Sequence, residues 1–130
     1  MSSVLDSIIE GVLEDVERRS IPINQLKAQL SDADDLRGAL QALAGSEMKI
    51  ISEVKRASPS KGDLGEILQP ARLAAQYESG GASVISVLTE ERRFKGSMKD
   101  FTEVRREVSI PMLRKAVSYT HLTLPTNREV

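Results

Sequence analysis

The chain has no cysteine and no tryptophan, two phenylalanines, two tyrosines and one histidine among its 130 residues. Without cysteine there is neither a disulfide framework nor a thiolate nucleophile, and the cytoplasm is the default compartment. A lone histidine argues against a zinc site of ordinary composition. So few aromatic rings offer poor platforms for stacking bases. Lys and Arg total 18 against 19 Asp and Glu, a net charge of -1, so no basic surface points to nucleic acid as a partner. Acids interrupt the N-terminal apolar pattern (Asp6, Glu10, Glu14, Asp15), and neither a secretory leader nor a membrane span is expected there. The glycine fingerprints G-x-G-x-x-G and G-x-x-x-x-G-K-[ST] are missing too, which removes the main support for a nucleotide-binding doubly wound sheet.

What is present is periodic. Val4, Leu5, Ile8, Ile9, Val12, Leu13 and Val16 recur at helical spacing and predict an amphipathic helix. Ile21-Pro22-Ile23 predicts an extended connection, with a short turn or helix over 24–30. Leu36, Leu40 and Leu43 predict a second helix, its positive end crowded by Asp32, Asp34 and Asp35 and its stop at Gly45. The run from Ile50 begins as a buried strand and ends in a polar loop. A helix follows from Pro70 through Leu73, Ala74 and Tyr77 to Gly80-Gly81. Ala82–Thr89 is a β-rich run, and Ser97 with Asp100 resembles a cap for a helix presenting Met98, Phe101 and Val104. Ile110–Lys115 reads as a third strand.

Strand, helix, strand, helix, strand, at a period of roughly 30 residues, predicts βαβ units and a parallel sheet. A (β/α)8 barrel, or a piece of one, fits best, although the chain is short against the roughly 250 residues such a barrel needs. In that fold each strand's carboxyl end faces the site, and all three ends here are polar: Glu53 and Lys55, Thr89 and Glu90, then Lys115. Ile51, Glu53 and Lys55 fall at i, i+2 and i+4, so an extended chain puts a carboxylate and an ammonium on one face. Taken alone, Glu53 and Lys55 fit equally a solvated pair on an edge strand. The connection from Arg56 to Gln69, with Gly62 and Gly65 inside it, is long for a βα loop and reads as a lid or as a solvated loop.

Three strings, Ile51-Ser-Glu-Val-Lys-Arg-Ala-Ser-Pro-Ser-Lys-Gly62, Ser86-Val-Leu-Thr-Glu-Glu-Arg-Arg-Phe-Lys-Gly-Ser97 and Ile110-Pro-Met-Leu-Arg-Lys115, closely resemble consecutive strand-end motifs of the indole-3-glycerol phosphate synthase family. The resemblance covers roughly residues 1 to 115. It implies a TIM barrel, represented here by its first three parallel strands behind an N-terminal helical extension. It also implies a decarboxylating ring closure of 1-(2-carboxyphenylamino)-1-deoxyribulose 5-phosphate in tryptophan biosynthesis, with no metal or organic cofactor. By motif, Lys115 resembles the general acid that protonates the ketone oxygen. Lys55 resembles the cation that holds the anthranilate carboxylate. Glu53 is similar to the strand-1 glutamate that assists later proton transfers and pairs with a lysine. Ser58 matches a loop position that shapes the substrate site. A lysine suits the acid role when burial or a like charge lowers its pKa; two lysines at one pocket push each other that way, and Glu53 opposes them.

The expected organisation is a helical extension over 1–48, the first part of the barrel over 49–117, and a tail over 118–130 that lacks the family's pattern and carries His121. The family's later glutamate base and much of its phosphate-binding backbone fall outside 130 residues, so this chain alone is expected to be inactive. Open sheet edges would favour self-association. Two other readings stay open, a different phosphosugar isomerase or lyase on the same barrel, and a non-catalytic partial-barrel module that pairs with a complementary fragment.

Overall fold

The computed structural model of the chain describes residues 3–30 and 35–115. The 118–130 tail with His121 lies outside the described residues, as do Asp32 and Asp34. The chain divides between Leu36 and Arg37 into two compact units.

The first unit holds α1 (Val4–Arg19) and α2 (Ile23–Gln29). A reciprocal cap starts α1: the Asp6 N–H donates to Ser3 Oγ at 3.1 Å, and the Ser3 N–H donates to Asp6 Oδ2 at 2.7 Å. Hydrogen bonding from Ser3 to the Asp6 carboxyl, its backbone N–H first and its hydroxyl second, holds that carboxyl below its ordinary range. The helix runs beyond Val16 to Arg19 because its last turn carries Arg18 and Arg19, cations suited to the negative end of the dipole. Pro22 then serves as the N-cap of α2.

In the second unit the order is α3 (Ala39–Leu43), β1 (Ile51–Val54), β2 (Ala57–Ser58), β3 (Gly62–Asp63), α4 (Pro70–Ser79), β4 (Val84–Leu88), α5 (Met98–Glu107) and β5 (Met112–Lys115). Among the described residues α1, α2 and α3 precede β1, α2 taking the place of the short turn or helix expected over 24–30. The predicted helix around Leu36 is also shorter than expected. Gly38 is its N-cap and supplies no side-chain bond, so it begins at Ala39, and Leu36 stands outside it, 99% exposed. Glycine's conformational freedom opposes an earlier start. The C-terminal side follows expectation, with Gly45 left-handed at φ 100° just past the end.

The strands β1, β4 and β5 form a parallel sheet in the order β1-β4-β5, with Glu53 opposite Ser86 and Leu88 opposite Lys115. Parallel neighbours share faces in register, so Val54, Ile85, Val87 and Met112 point one way and Ile51, Glu53, Ser86, Leu113 and Lys115 the other. Helices α4 and α5 cover the first face. There Val54, Ala74, Ile85, Val87, Val104 and Val108 build the core, with Leu73, Tyr77 and Phe101 packed around it. Pro70 at the first turn of α4 and Ser97 capping α5 start both helices where the sequence predicts them.

The second face corrects an expectation. The run from Ile50 reads as a buried strand, yet Ile51 is about half exposed, and so is Leu113. A barrel's inner face is dried by strands from the opposite wall, and the described residues supply one side of it. The long loop after β1 is also more ordered than its composition implies. Its β2 and β3 pair as an antiparallel ribbon, with Gly62 left-handed at φ 63° in the return.

Candidate functional site

The carboxyl ends of β1 and β5 flank β4, and the alternation of a strand sends Glu53 and Lys115 to the same face. Lys115 Nζ lies 3.0 Å from Glu53 Oε2. Lys55, one residue beyond the end of β1, places its Nζ 3.2 Å from Glu53 Oε1. A single carboxylate therefore bridges two ammonium groups, one on each oxygen. The Ser86 hydroxyl, on β4 directly across from Glu53, donates to Oε2 at 3.1 Å.

Burial pushes the Glu53 carboxyl up. The hydrogen bonds from Lys115 and Lys55, the Lys115 charge and the Ser86 hydroxyl together outweigh it, so the carboxyl sits below its ordinary value of 4.5. With two cations to one anion the cluster carries an excess positive charge, which favours anionic ligands. It is also reachable, since the Lys115 and Lys55 side chains are 48% and 34% exposed.

Of the four residues singled out from sequence, Glu53, Lys55 and Lys115 come together in this way. Ser58 sits on the ribbon strand β2, and its hydroxyl accepts from the Lys61 N–H at 3.3 Å, a bond within the ribbon. The polar end of β4 plays a different part from the one its position implies. Thr89 and Glu90 are each 4% exposed. The Thr89 hydroxyl donates to the Lys115 carbonyl at 3.1 Å and accepts from Arg114 Nε at 3.3 Å, so it fixes the backbone that carries Lys115. The Glu90 carboxylate accepts from the N–H groups of Arg92 (3.0 Å), Arg93 (2.6 Å) and Phe94 (2.9 Å), and the Glu90 carbonyl accepts from the Gly96 N–H. That carboxylate shapes its own loop, because a buried anion needs donors and three loop amides supply them.

The loop after β1 is held by Arg56. Its Nε and Nη2 donate to the two oxygens of Asp100 at 3.2 and 2.9 Å, and Nη1 donates to the Ile67 carbonyl at the loop's far end. Both residues stand inside the motif strings, but the sequence alone assigns no role to Arg56 or to Ser86. The signal for Ser86 was a single hydroxyl inside an otherwise apolar strand, one strand over from Glu53. Among the described residues no group of three or more His, Cys, Asp or Glu side chains is placed to hold a metal. No helix among them is long and apolar enough to cross a membrane.

Three parallel strands joined by helices, with lysines and a glutamate at their carboxyl ends, define part of a (β/α)8 barrel. A family model described as indole-3-glycerol phosphate synthase matches residues 5–124, running past Lys115. The chain is 53% identical over 115 residues to "Indole-3-glycerol phosphate synthase 1" of Streptomyces coelicolor, a match covering 87% of this chain and 43% of the relative. It is 52% identical over 120 residues to an indole-3-glycerol phosphate synthase of an Arthrobacter species (87% and 44%), and 54% identical over 115 residues to one of Rhodococcus opacus (87% and 43%). The chain belongs to the indole-3-glycerol phosphate synthase family. It spans a little under half the length of the curated relatives it matches.

Proposed function

We propose that these residues supply part of the active site of an indole-3-glycerol phosphate synthase, a carbon-carbon lyase of tryptophan biosynthesis acting in the cytoplasm. The substrate in this reading is 1-(2-carboxyphenylamino)-1-deoxyribulose 5-phosphate. The single observation that carries the reading is the Glu53 carboxylate shared between the ammonium groups of Lys55 and Lys115, 3.2 and 3.0 Å away.

The chemistry needs such a set. A ring carbon of the anthranilate group attacks the ketone carbon, and the ketone oxygen has to gain a proton as the new bond forms; the Lys115 ammonium gives that proton. Lys55 holds the ring's carboxylate and so fixes the attacking carbon against the ketone. Loss of carbon dioxide returns the electron pair to the ring, and loss of the former ketone oxygen as water completes the indole. Glu53, kept ionised by its two partners, takes up a proton in these later steps. Ser58 shapes the pocket from the ribbon, and the loop after β1 closes as a lid. The reaction takes no metal or organic cofactor. Residues 1–48 form a helical extension before the barrel and residues 49–117 its first part. The activity is that of the closed barrel, and the outer strands β1 and β5 of the described sheet offer the open edges through which copies associate.

The test is a chimera in which residues 1–115 precede the remaining βα units of the Streptomyces coelicolor relative. Incubated with the carboxyphenylamino ribulose phosphate, it should release carbon dioxide and give the indole chromophore. A folded chimera that leaves this substrate intact sinks the assignment and favours another phosphosugar reaction on the same barrel.

A further inference from the structure

Strand β4 is buried over its whole length, and within Val84-Ile85-Ser86-Val87-Leu88 only Ser86 carries a hydrogen-bonding side chain. A hydroxyl 2% exposed must find its partner inside the protein. A valine would fill the same place on a pleated surface without that demand. Ser86 meets it at Glu53, its register partner, by donating to Oε2 at 3.1 Å. The same oxygen receives Lys115 at 3.0 Å, which leaves Oε1 to Lys55 at 3.2 Å.

The two lysines are poor anchors for that carboxylate. Each is a flexible chain at least one third exposed, and exposed ion pairs hold geometry weakly because solvent competes and rotamer entropy opposes them. The Ser86 oxygen, on the central strand of the sheet, has no such freedom. It is the fixed point of the cluster. We propose that Ser86 is a positioning residue, whose buried hydroxyl pins Glu53 in the orientation that gives one carboxylate oxygen to each lysine. Without the pin, Glu53 is free to turn both oxygens to one lysine and release the other. This role rests on the reading of the cluster as the active site, but the pin itself is testable apart from it.

The experiment follows the Glu53 carboxyl by carbon-detected NMR during an acid titration of the full chain. In the parent its midpoint lies below the ordinary carboxylate value, and Ser86→Ala should move it upward while far-ultraviolet circular dichroism stays the same. Ser86→Thr, which keeps the hydroxyl, should restore the parent midpoint. Ser86→Cys, a near-isosteric weak donor, gives the same reading should the alanine variant lose its fold. An unchanged Glu53 titration in the folded alanine or cysteine variant overturns the proposal. In the chimera, Ser86→Ala should lower kcat by roughly 10- to 100-fold with KM little changed, the cost of a misplaced catalytic group. A chimera that never turns over this substrate removes the functional reading, whereas the carboxyl titration still decides the role of Ser86.

Discussion

Replacing Arg56 by alanine should cost this chain about 3 kcal/mol, and the figure follows from what the guanidinium leaves behind. The Asp100 side chain is 10% exposed, and both its oxygens are bonded to Arg56 at 2.9 and 3.2 Å. Removing one partner of a buried pair costs about 3 to 5 kcal/mol, because the other charge stays buried. The lower end applies here, since Arg56 is itself 24% exposed and Asp100 lies in the first turn of α5, where the helix dipole supports an anion. Asp100→Ala should cost less, about 1 to 2 kcal/mol, because the guanidinium keeps the Ile67 carbonyl and gains water. The double variant should fall short of the sum by about 1.5 kcal/mol or more, the mark of contacting partners. Urea unfolding followed by circular dichroism measures all three; the chain has no tryptophan to report by fluorescence. Single losses below about 0.5 kcal/mol that simply add would refute the view of Arg56 as the clasp of the loop after β1.

Arg37→Ala should destabilise by about 2 kcal/mol and speed amide exchange around the end of α5, because its guanidinium serves the carbonyls of Val108 (2.6 Å), Ile110 (2.9 Å) and Arg105 (3.0 Å). Gly96→Ala places a methyl 2.0 Å from the Leu88 carbonyl oxygen, a backbone atom unable to step aside, so a loss of about 1 to 3 kcal/mol is expected in thermal unfolding. Acid should weaken the fold through Glu53. Its folded-state pKa lies below 4.5, so its stabilisation is complete above that value and is lost as pH falls through the lower one. Glu53→Gln should remove that part of the acid slope, and unfolding curves collected from pH 7 to pH 3 check it.

The regular elements were legible because each carried its own local signal. Pro70 opens α4, Ser97 caps α5, and the β-branched run around Ile85 has no other use than a buried strand. Periodicity also put Glu53 and Lys55 together at a strand end. That Lys115 joins them depends on the β1-β4-β5 order and register, which no local spacing contains. Thr89 and Glu90 show the limit from the other side. Their position matched a site wall, yet burial turned both to holding backbone. Apolar spacing alone carries α3 back to Leu36, whereas the glycine at position 38 sets its start at Ala39. Arg37, Arg56 and Ser86 escaped notice because their partners lie on other elements, 71, 44 and 33 residues away along the chain.

The most direct measurement is turnover of the carboxyphenylamino ribulose phosphate by the chimera carrying Lys115→Ala. Lys115, held 3.0 Å from Glu53 and proposed as the proton donor, should be worth about 10²- to 10⁴-fold in kcat, with the fold intact by circular dichroism. Turnover within a few-fold of the parent chimera contradicts the placement of the reaction on this cluster.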